Sequence, residues 1–345
     1  LILTIKDEKG NNVTAGVNGL TYVTSGGVSG FDVTGKKGLF NIKTDYPIST
    51  TSSSAGTTHT WTFTLTFVNL GTDQSDNENA SMNVDIYLQK EEYKLPLNEY
   101  VISQYTGTQG ENSLYYHNSS LTNGAGDNSY RYAGASNSVN NYICLGSDEA
   151  ICPDANLFRI IGVFGDKTKV IRAKSVGYQQ WHTSADNTWS SSSLNAYLNG
   201  TYLTSLGTIA EKIATTTWKV GGGSGSNISA SVPKTAYKNE VGSSASTTII
   251  DKKIGLMYVS DYGFAASPSA WTKTLGDYDG TDANGTSIKT INWMYMGYYD
   301  WMISRLSGYS DNAFVVTYDG YVYSNRVSYL LGVRPSFNLS SSITY

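Results

Sequence analysis

The stretch HTWTFTLTFVNL, residues 59–70, constrains this chain most. It alternates strictly: Trp61, Phe63, Leu65 and Phe67 share one face of an extended strand, and Thr60, Thr62, Thr64 and Thr66 share the other. Successive side chains of a strand point to opposite sides of the pleat, so a period of two marks one covered face and one wet face. SMNVDIYLQ repeats the pattern with Met82, Val84, Ile86 and Leu88, and GLFNIKT, GLTYVTS and GFDVTG are shorter strand candidates between glycine-rich turns. Short strands at this spacing predict two packed sheets. Residues 1–93 are therefore expected to form an all-β, immunoglobulin-like sandwich that serves assembly. At its start, LILTIKD sets Leu1, Leu3 and Ile5 on one face and Ile2 on the other. Such a strand either belongs to its own sandwich or is donated to a neighbouring copy. The expectation is donation, with Leu1–Asp7 completing a sheet in the next subunit and building a head-to-tail filament.

KEEYKLP marks the boundary to a second domain, residues 94–345, expected to be α+β. A short helix is predicted after Pro96, with Leu97, Val101 and Tyr105 on one face and the proline at the first helical position. Residues 106–156 are polar and loop-rich. NLFRIIGVFG reads as a buried strand that pairs with TKVIRAKSV through a turn at Gly165-Asp166. SSSLNAYLNG reads as a helix ended by Gly200, and GTIAEKIATTTW as another, with capping-box spacing from Thr208 to Glu211. VGGGSGSNIS is expected to be a flexible loop, and KIGLMYVSDYGFAAS a strand followed by a polar turn. VTYDGYVY is predicted to be a hairpin with Asp319-Gly320 as a two-residue turn. That turn pairs Tyr318 with Tyr321, Val316 with Tyr323 and Phe314 with Asn325.

Composition narrows the function classes. Charged residues make up 15% of the 345, against roughly 25% in ordinary globular domains. Ser, Thr, Asn and Gly fill the difference, together with 27 tyrosines, which suits an exported β-rich protein. A net charge of −4 argues against nucleic acid, which requires a clustered basic face. No run approaches the ~18 apolar residues of a membrane span. The chain begins with Leu rather than Met, so a leader has been removed or the sequence is a fragment. Cys144 and Cys152, in CLGSDEAIC, lack zinc spacing and a flanking histidine. They are expected to close a disulfide loop, which implies an oxidising compartment.

From about residue 95 onward the chain resembles a family of Firmicutes surface proteins with a C-type-lectin-like domain. The matching stretches are GDNSYRYAG (126–134), NLFRIIGVFG (156–165), IATTTWKVGG (213–222), KIGLMYVSDYGFAAS (253–267), WMISR (301–305) and GVRPSFNL (332–339). Related folds occur in formylglycine-generating enzymes and in the variable proteins of diversity-generating retroelements. The resemblance implies display outside the cell, and the N-terminal block loosely resembles biofilm-fibre subunits. The sugar and calcium motifs of calcium-dependent C-type lectins are absent, so that activity is not carried over. Formylglycine chemistry is not carried over either, because Cys144 and Cys152 precede the NLFRIIGVFG strand in a loop.

No enzymatic site is expected. His59, His117 and His182 have no neighbouring pattern of a proton relay or metal centre. Asp277, Asp279 and Asp282 in DYDGTD cluster as calcium prefers, yet the loop lacks the terminal glutamate of the twelve-residue calcium loop. A lysine–asparagine isopeptide bond would suit a surface β-domain, with Lys6 or Lys43 and Asn69 or Asn83 as candidates, but no motif selects a pair. Tyrosine makes a large, rigid, amphipathic recognition surface. Tyr298, Tyr299, Tyr309, Asn312, Tyr318, Tyr321, Tyr323, Asn325 and Tyr329 are therefore the candidate ligand face. Arg305 and Arg334 are expected in buried ion pairs. The leading expectation is a non-enzymatic, extracellular, pilus-like or fibre subunit displaying a lectin-like domain. The alternative is a monomeric cell-surface adhesin for a glycan or protein ligand.

Overall fold

The computed structural model describes residues 1–7, 9–14, 17, 20–36, 60–72, 95–223, 228–341 and 343. The backbone divides into two units, Leu1–Lys90 and Glu91–Tyr345. SMNVDIYLQ, GLFNIKT, His59, Lys43 and Asn83 lie outside the described residues, as does the middle of VGGGSGSNIS.

In the first unit, β1 (Ile2–Lys6), β2 (Thr21–Ser25), β3 (Val28–Asp32) and β4 (Thr62–Thr66) form one antiparallel sheet in the order β2-β3-β1-β4. Gly26 and Gly27, both at positive φ, turn β2 into β3 and set Ser25 opposite Val28. A Cβ on Gly26 would lie 2.3 Å from a Val68 methyl, so the position admits no side chain. In this chain the N-terminal strand pairs within its own unit. β1 pairs with β3 on one edge and with β4 on the other, with Leu3 opposite Phe31 and Leu65. Ile2 and Ile5 are buried, and Ile5 packs with Val17 and Phe31 against Leu3, Tyr22, Trp61 and Phe63. β1 is thus an internal strand of this sheet with both edges paired, and removing it would forfeit two ladders and the centre of a small core. Phe63 is half-buried as its face predicts, but Leu65 and Phe67 are exposed. All described strands of this unit belong to a single sheet, and the second sheet of a sandwich is not among the described residues.

The second unit holds two larger sheets. The first joins β5 (Leu114–Tyr116), β6 (Tyr130–Tyr132), β7 (Tyr142–Cys144), β8 (Leu157–Phe164) and β9 (Lys167–Arg172). The next strands along the chain are β10 (Tyr178–Gln179), β11 (Thr216–Lys219), β12 (Ile249–Lys252) and β13 (Ile254–Gly255). The last are β14 (Asp300–Arg305), β15 (Asn312–Val316), β16 (Val322–Arg326), β17 (Leu331–Gly332) and β18 (Ser336–Leu339). The first sheet runs β13-β18-β9-β8-β6-β5 with β7 also on β8; the second runs β10-β17-β14-β15-β16; β11 and β12 pair separately. NLFRIIGVFG is apolar apart from Asn156 and the buried Arg159 because β8 is covered along almost its whole length. It turns into β9 at Gly165-Asp166, with Phe164 opposite Lys167. Gly162 is obligatory, since a Cβ there would sit 2.0 Å from the Tyr130 carbonyl. Cys144 and Cys152 form the expected disulfide, with Cα atoms 5.8 Å apart.

Six tryptophans are fully buried, and five satisfy their indole N–H on a carbonyl, as Trp181 does on Met302 at 3.0 Å and Trp293 on Tyr132 at 2.9 Å. The helices depart from expectation in four places. Pro96 is the N-cap of Leu97–Ser103 rather than its first residue. Gly200 does not end its helix, which passes through a wider turn at Leu198–Tyr202 and on to Ser205. Thr208 makes no side-chain cap to Ile209–Lys212. KIGLMYVSDYGFAAS holds a two-residue strand and then a helix, Val259–Ala265, every residue of which is buried. Its polar letters misled the reading because the Asp261 carboxylate caps the helix inside the core by accepting the Tyr258 N–H, while the Ser260 N–H donates to the buried Glu240.

Candidate functional site

The hairpin of β15 and β16 carries most of the candidate residues, and its register differs by one from the predicted pairing. Val316 faces Val322, Val315 faces Tyr323, Phe314 faces Ser324 and Ala313 faces Asn325. The loop is longer than two residues: the Thr317 N–H donates to the Tyr321 carbonyl at 2.9 Å, and the Gly320 N–H donates to the Thr317 carbonyl at 3.0 Å. Gly320 adopts φ +98°, the left-handed third position of a three-residue hairpin loop. The loop is pinned from beneath. The buried Tyr262 hydroxyl donates to the Gly320 carbonyl at 2.6 Å, and the Tyr295 hydroxyl donates to the Tyr318 carbonyl at 2.6 Å.

This anchoring gathers four tyrosines at the turn. The rings of Tyr299 and Tyr318 lie 5.6 Å apart, and those of Tyr321 and Tyr323 lie 6.2 Å apart. Tyr318 and Tyr323 are each 55% exposed. Partial burial, the Tyr299 phenol and the carboxylates of Asp279 and Asp319 together raise the Tyr321 phenol above its ordinary value. The Asp319 carboxylate does the same to Tyr318. Both phenols therefore stay protonated and neutral at physiological pH, as amphipathic rings flanked by two acids.

The remaining candidates fall elsewhere. Tyr298 is half-buried over Gly332, and its hydroxyl accepts the Ser175 N–H at 3.2 Å. Asn312 pairs with Arg326 and Asn325 with Ala313, at the end of the hairpin away from the turn. Tyr309 is exposed between β14 and β15, where its carbonyl accepts from the Asn187 amide. Tyr329 is exposed in the connection from β16 to β17. The structure thus brings together Tyr299, Tyr318, Tyr321 and Tyr323, and separates them from Asn312 and Asn325.

In the acidic loop, two of the three aspartates are engaged locally. Asp282 accepts the N–H groups of Asn284 and Thr286, at 2.9 and 2.8 Å, and Asp277 accepts the Thr274 hydroxyl. Asp279 is exposed, and no metal-ligating group of three is present among the described residues. His117 is sealed between Phe264 and Trp271, with Nδ1 accepting the Ala125 N–H at 3.1 Å. Burial and then Arg131 hold its pKa well below the usual histidine value, so it is a neutral core residue. Arg334 makes the expected buried pair with Asp300 at 2.6 Å, whereas Arg305 donates to the Gly221 carbonyl instead.

Two features escaped the sequence reading. One is a buried charge network of Asp127, Arg131, Lys169, Asp261 and Glu240. Only the spacing of Asp127 and Arg131 in GDNSYRYAG hinted at it. The other is a cleft of about 350 Å³ lined by Tyr100, Gln104, Asn112, Ser138, Asn140 and Tyr142, with no charged side chain on its wall. Asn112 and Ser113 are both left-handed, at φ 55° and 59°, beside it. One face of the Tyr142 ring rests on the Arg159 guanidinium at 4.3 Å.

Residues 165–341, just over half of the chain, match DUF6273, a domain of unknown function. No curated protein and no solved structure matches the chain.

Proposed function

Because the chain belongs to the DUF6273 family, we propose a role from the geometry of the molecule itself: an exported, non-enzymatic recognition module that binds a partner protein through its tyrosine face. The observation that carries this reading is the cluster of Tyr299, Tyr318, Tyr321 and Tyr323 on a turn held from below by Tyr262 and Tyr295. Rigid aromatic anchors lose little entropy on binding, which is why such rings dominate adaptable recognition surfaces. Asp279 and Asp319 beside them favour a partner with exposed arginine or lysine, which the ring faces also attract. The disulfide supports an oxidising compartment and therefore display outside the cytoplasm. Filament growth by strand donation does not enter this reading, because β1 is internal to its own sheet.

The test is the full chain against arrays of extracellular proteins and of arginine- and lysine-bearing peptides, beside the double variant Tyr318→Ser, Tyr323→Ser. The variant is expected to melt within a degree or two of the parent and to lose the captured partners. Equal capture by both proteins would defeat the proposal. The uncharged cleft favours a second reading, a neutral saccharide ligand, since amides, hydroxyls and tyrosine faces suit a polyhydroxylated surface. Binding confined to a glycan array and abolished by Asn140→Ala would favour that reading over the first.

A further inference from the structure

Lys169 on β9 and Asp261 in the Val259–Ala265 helix meet inside the second unit, with Nζ 2.5 Å from Oδ2. Their side chains are 6% and 3% exposed. Aromatic rings wall in the amine, Tyr258 at 4.6 Å, Trp218 at 5.4 Å and Phe164 at 5.7 Å from ring centre to Nζ. Keeping two full charges there is costly, several kcal/mol per ion before their attraction is counted. Desolvation lowers the Lys169 amine against the opposing pull of Asp261, which brings its nucleophilic neutral form within reach.

The carboxyl is set up as the electrophile. Asp261 Oδ2 accepts the Tyr258 N–H at 2.8 Å, and Arg131 Nη1 lies 3.9 Å from Oδ1. Both donors face the oxygens on which negative charge would collect if the amine attacked Cγ. A second carboxyl, Glu240, is buried on the N–H groups of Val259 and Ser260, at 2.8 and 2.9 Å, and on the Ser304 hydroxyl. Those N–H groups belong to the two residues just before Asp261. Burial raises Glu240 toward its protonated form against the opposing effect of those three hydrogen bonds.

We propose that Lys169 and Asp261 condense to an intramolecular amide, an isopeptide bond between Nζ and Cγ formed with loss of one water. The ammonium passes one proton to the carboxylate, and the neutral amine adds to Cγ. The nitrogen then gives up a second proton, through Glu240, to the departing oxygen. One C–N bond forms, one C–O bond breaks, and two opposite charges disappear together. Arg131 stays neutralised, because Asp127 holds it at 2.6 Å. The link would join two segments 92 residues apart. It belongs to the second unit, whereas Lys6 and Asn69 belong to the first, and it is independent of the binding reading above.

The experiment is the intact mass of the full chain after reduction, followed by peptide mapping. The expected result is a mass lower than the sequence by one water, with a branched peptide joining Lys169 to Asp261. Lys169→Met should restore the full mass. Glu240→Gln, checked for retained fold by its melting curve, should stop or greatly slow the loss. A parent chain that keeps its full mass after long incubation in the folded state would overturn the proposal. So would a missing water that maps to a cyclised aspartyl residue instead of a branched peptide. Water loss at the parent rate in Glu240→Gln would remove that residue from the mechanism.

Discussion

Replacing Arg334 with Met strikes the most completely buried ion pair of the second unit. Arg334 Nε lies 2.6 Å from Asp300 Oδ2, with side chains 1% and 2% exposed. The guanidinium also donates to the Met294 carbonyl at 2.8 Å, and Asp300 Oδ1 has no other partner. Methionine fills much of the arginine stem, so the loss is mainly electrostatic. Removing one member of such a pair strands a buried charge, which costs about 3–5 kcal/mol. Burial already pushes the Asp300 carboxyl upward, and Arg334 pulls it back. In the variant the folded pKa therefore rises further above the unfolded value of about 3.9. The sign follows from linkage: the deficit is smallest below that unfolded value, where both states are protonated, and it grows as pH rises toward the folded pKa. Urea unfolding followed by tryptophan fluorescence reads this directly. With a slope of about 3 kcal/mol per molar, the midpoint at neutral pH should fall by about 1–1.7 M. A loss under about 1 kcal/mol, or a deficit that is the same at every pH, would refute the reasoning.

Gly320→Ala should cost about 1–2 kcal/mol, because alanine resists φ +98° and its Cβ would press on Tyr295 at 3.3 Å; an unchanged thermal midpoint would contradict the three-residue loop. His117 is buried neutral, so its contribution is complete above its unfolded pKa of about 6.5 and is lost as pH falls below it. His117→Gln should therefore flatten the part of the stability profile that begins near that pH, and matching profiles would count against this account. Asp127, held at about 2 by Arg131 and Ser129 against the opposing effect of burial, contributes above its unfolded value and loses that contribution only in stronger acid. Removing both cysteines, C144S with C152S, should lower stability by about 2.5 kcal/mol through the freed loop, checked by chemical denaturation against the oxidised parent. Deleting residues 1–7 should unfold the first unit, because β1 is internal, and hydrogen exchange that stays slow in β3 and β4 would show otherwise.

Where a signal was local and periodic, the sequence by itself determined the element. Threonine–apolar alternation made β4, and Gly165-Asp166 turned one apolar strand into the next. A separation of eight residues sufficed for the disulfide, because a short loop brings its ends together at little entropic cost. The Tyr321 and Tyr323 face was legible for the same reason, since strand alternation survives a change of register only through its own strand. The register itself was not legible. It depends on Tyr262, whose hydroxyl holds Gly320 from a helix 58 residues away. LILTIKD could not reveal whether its partners lay in its own unit, since an apolar strand reads the same wherever its edges are satisfied. The tertiary structure alone decided the charge network. Asp127, Arg131, Lys169, Glu240 and Asp261 read as ordinary surface letters until folding carries them into a dry interior. Burial is a property of packing, and the low dielectric it creates is what makes those five groups act on one another.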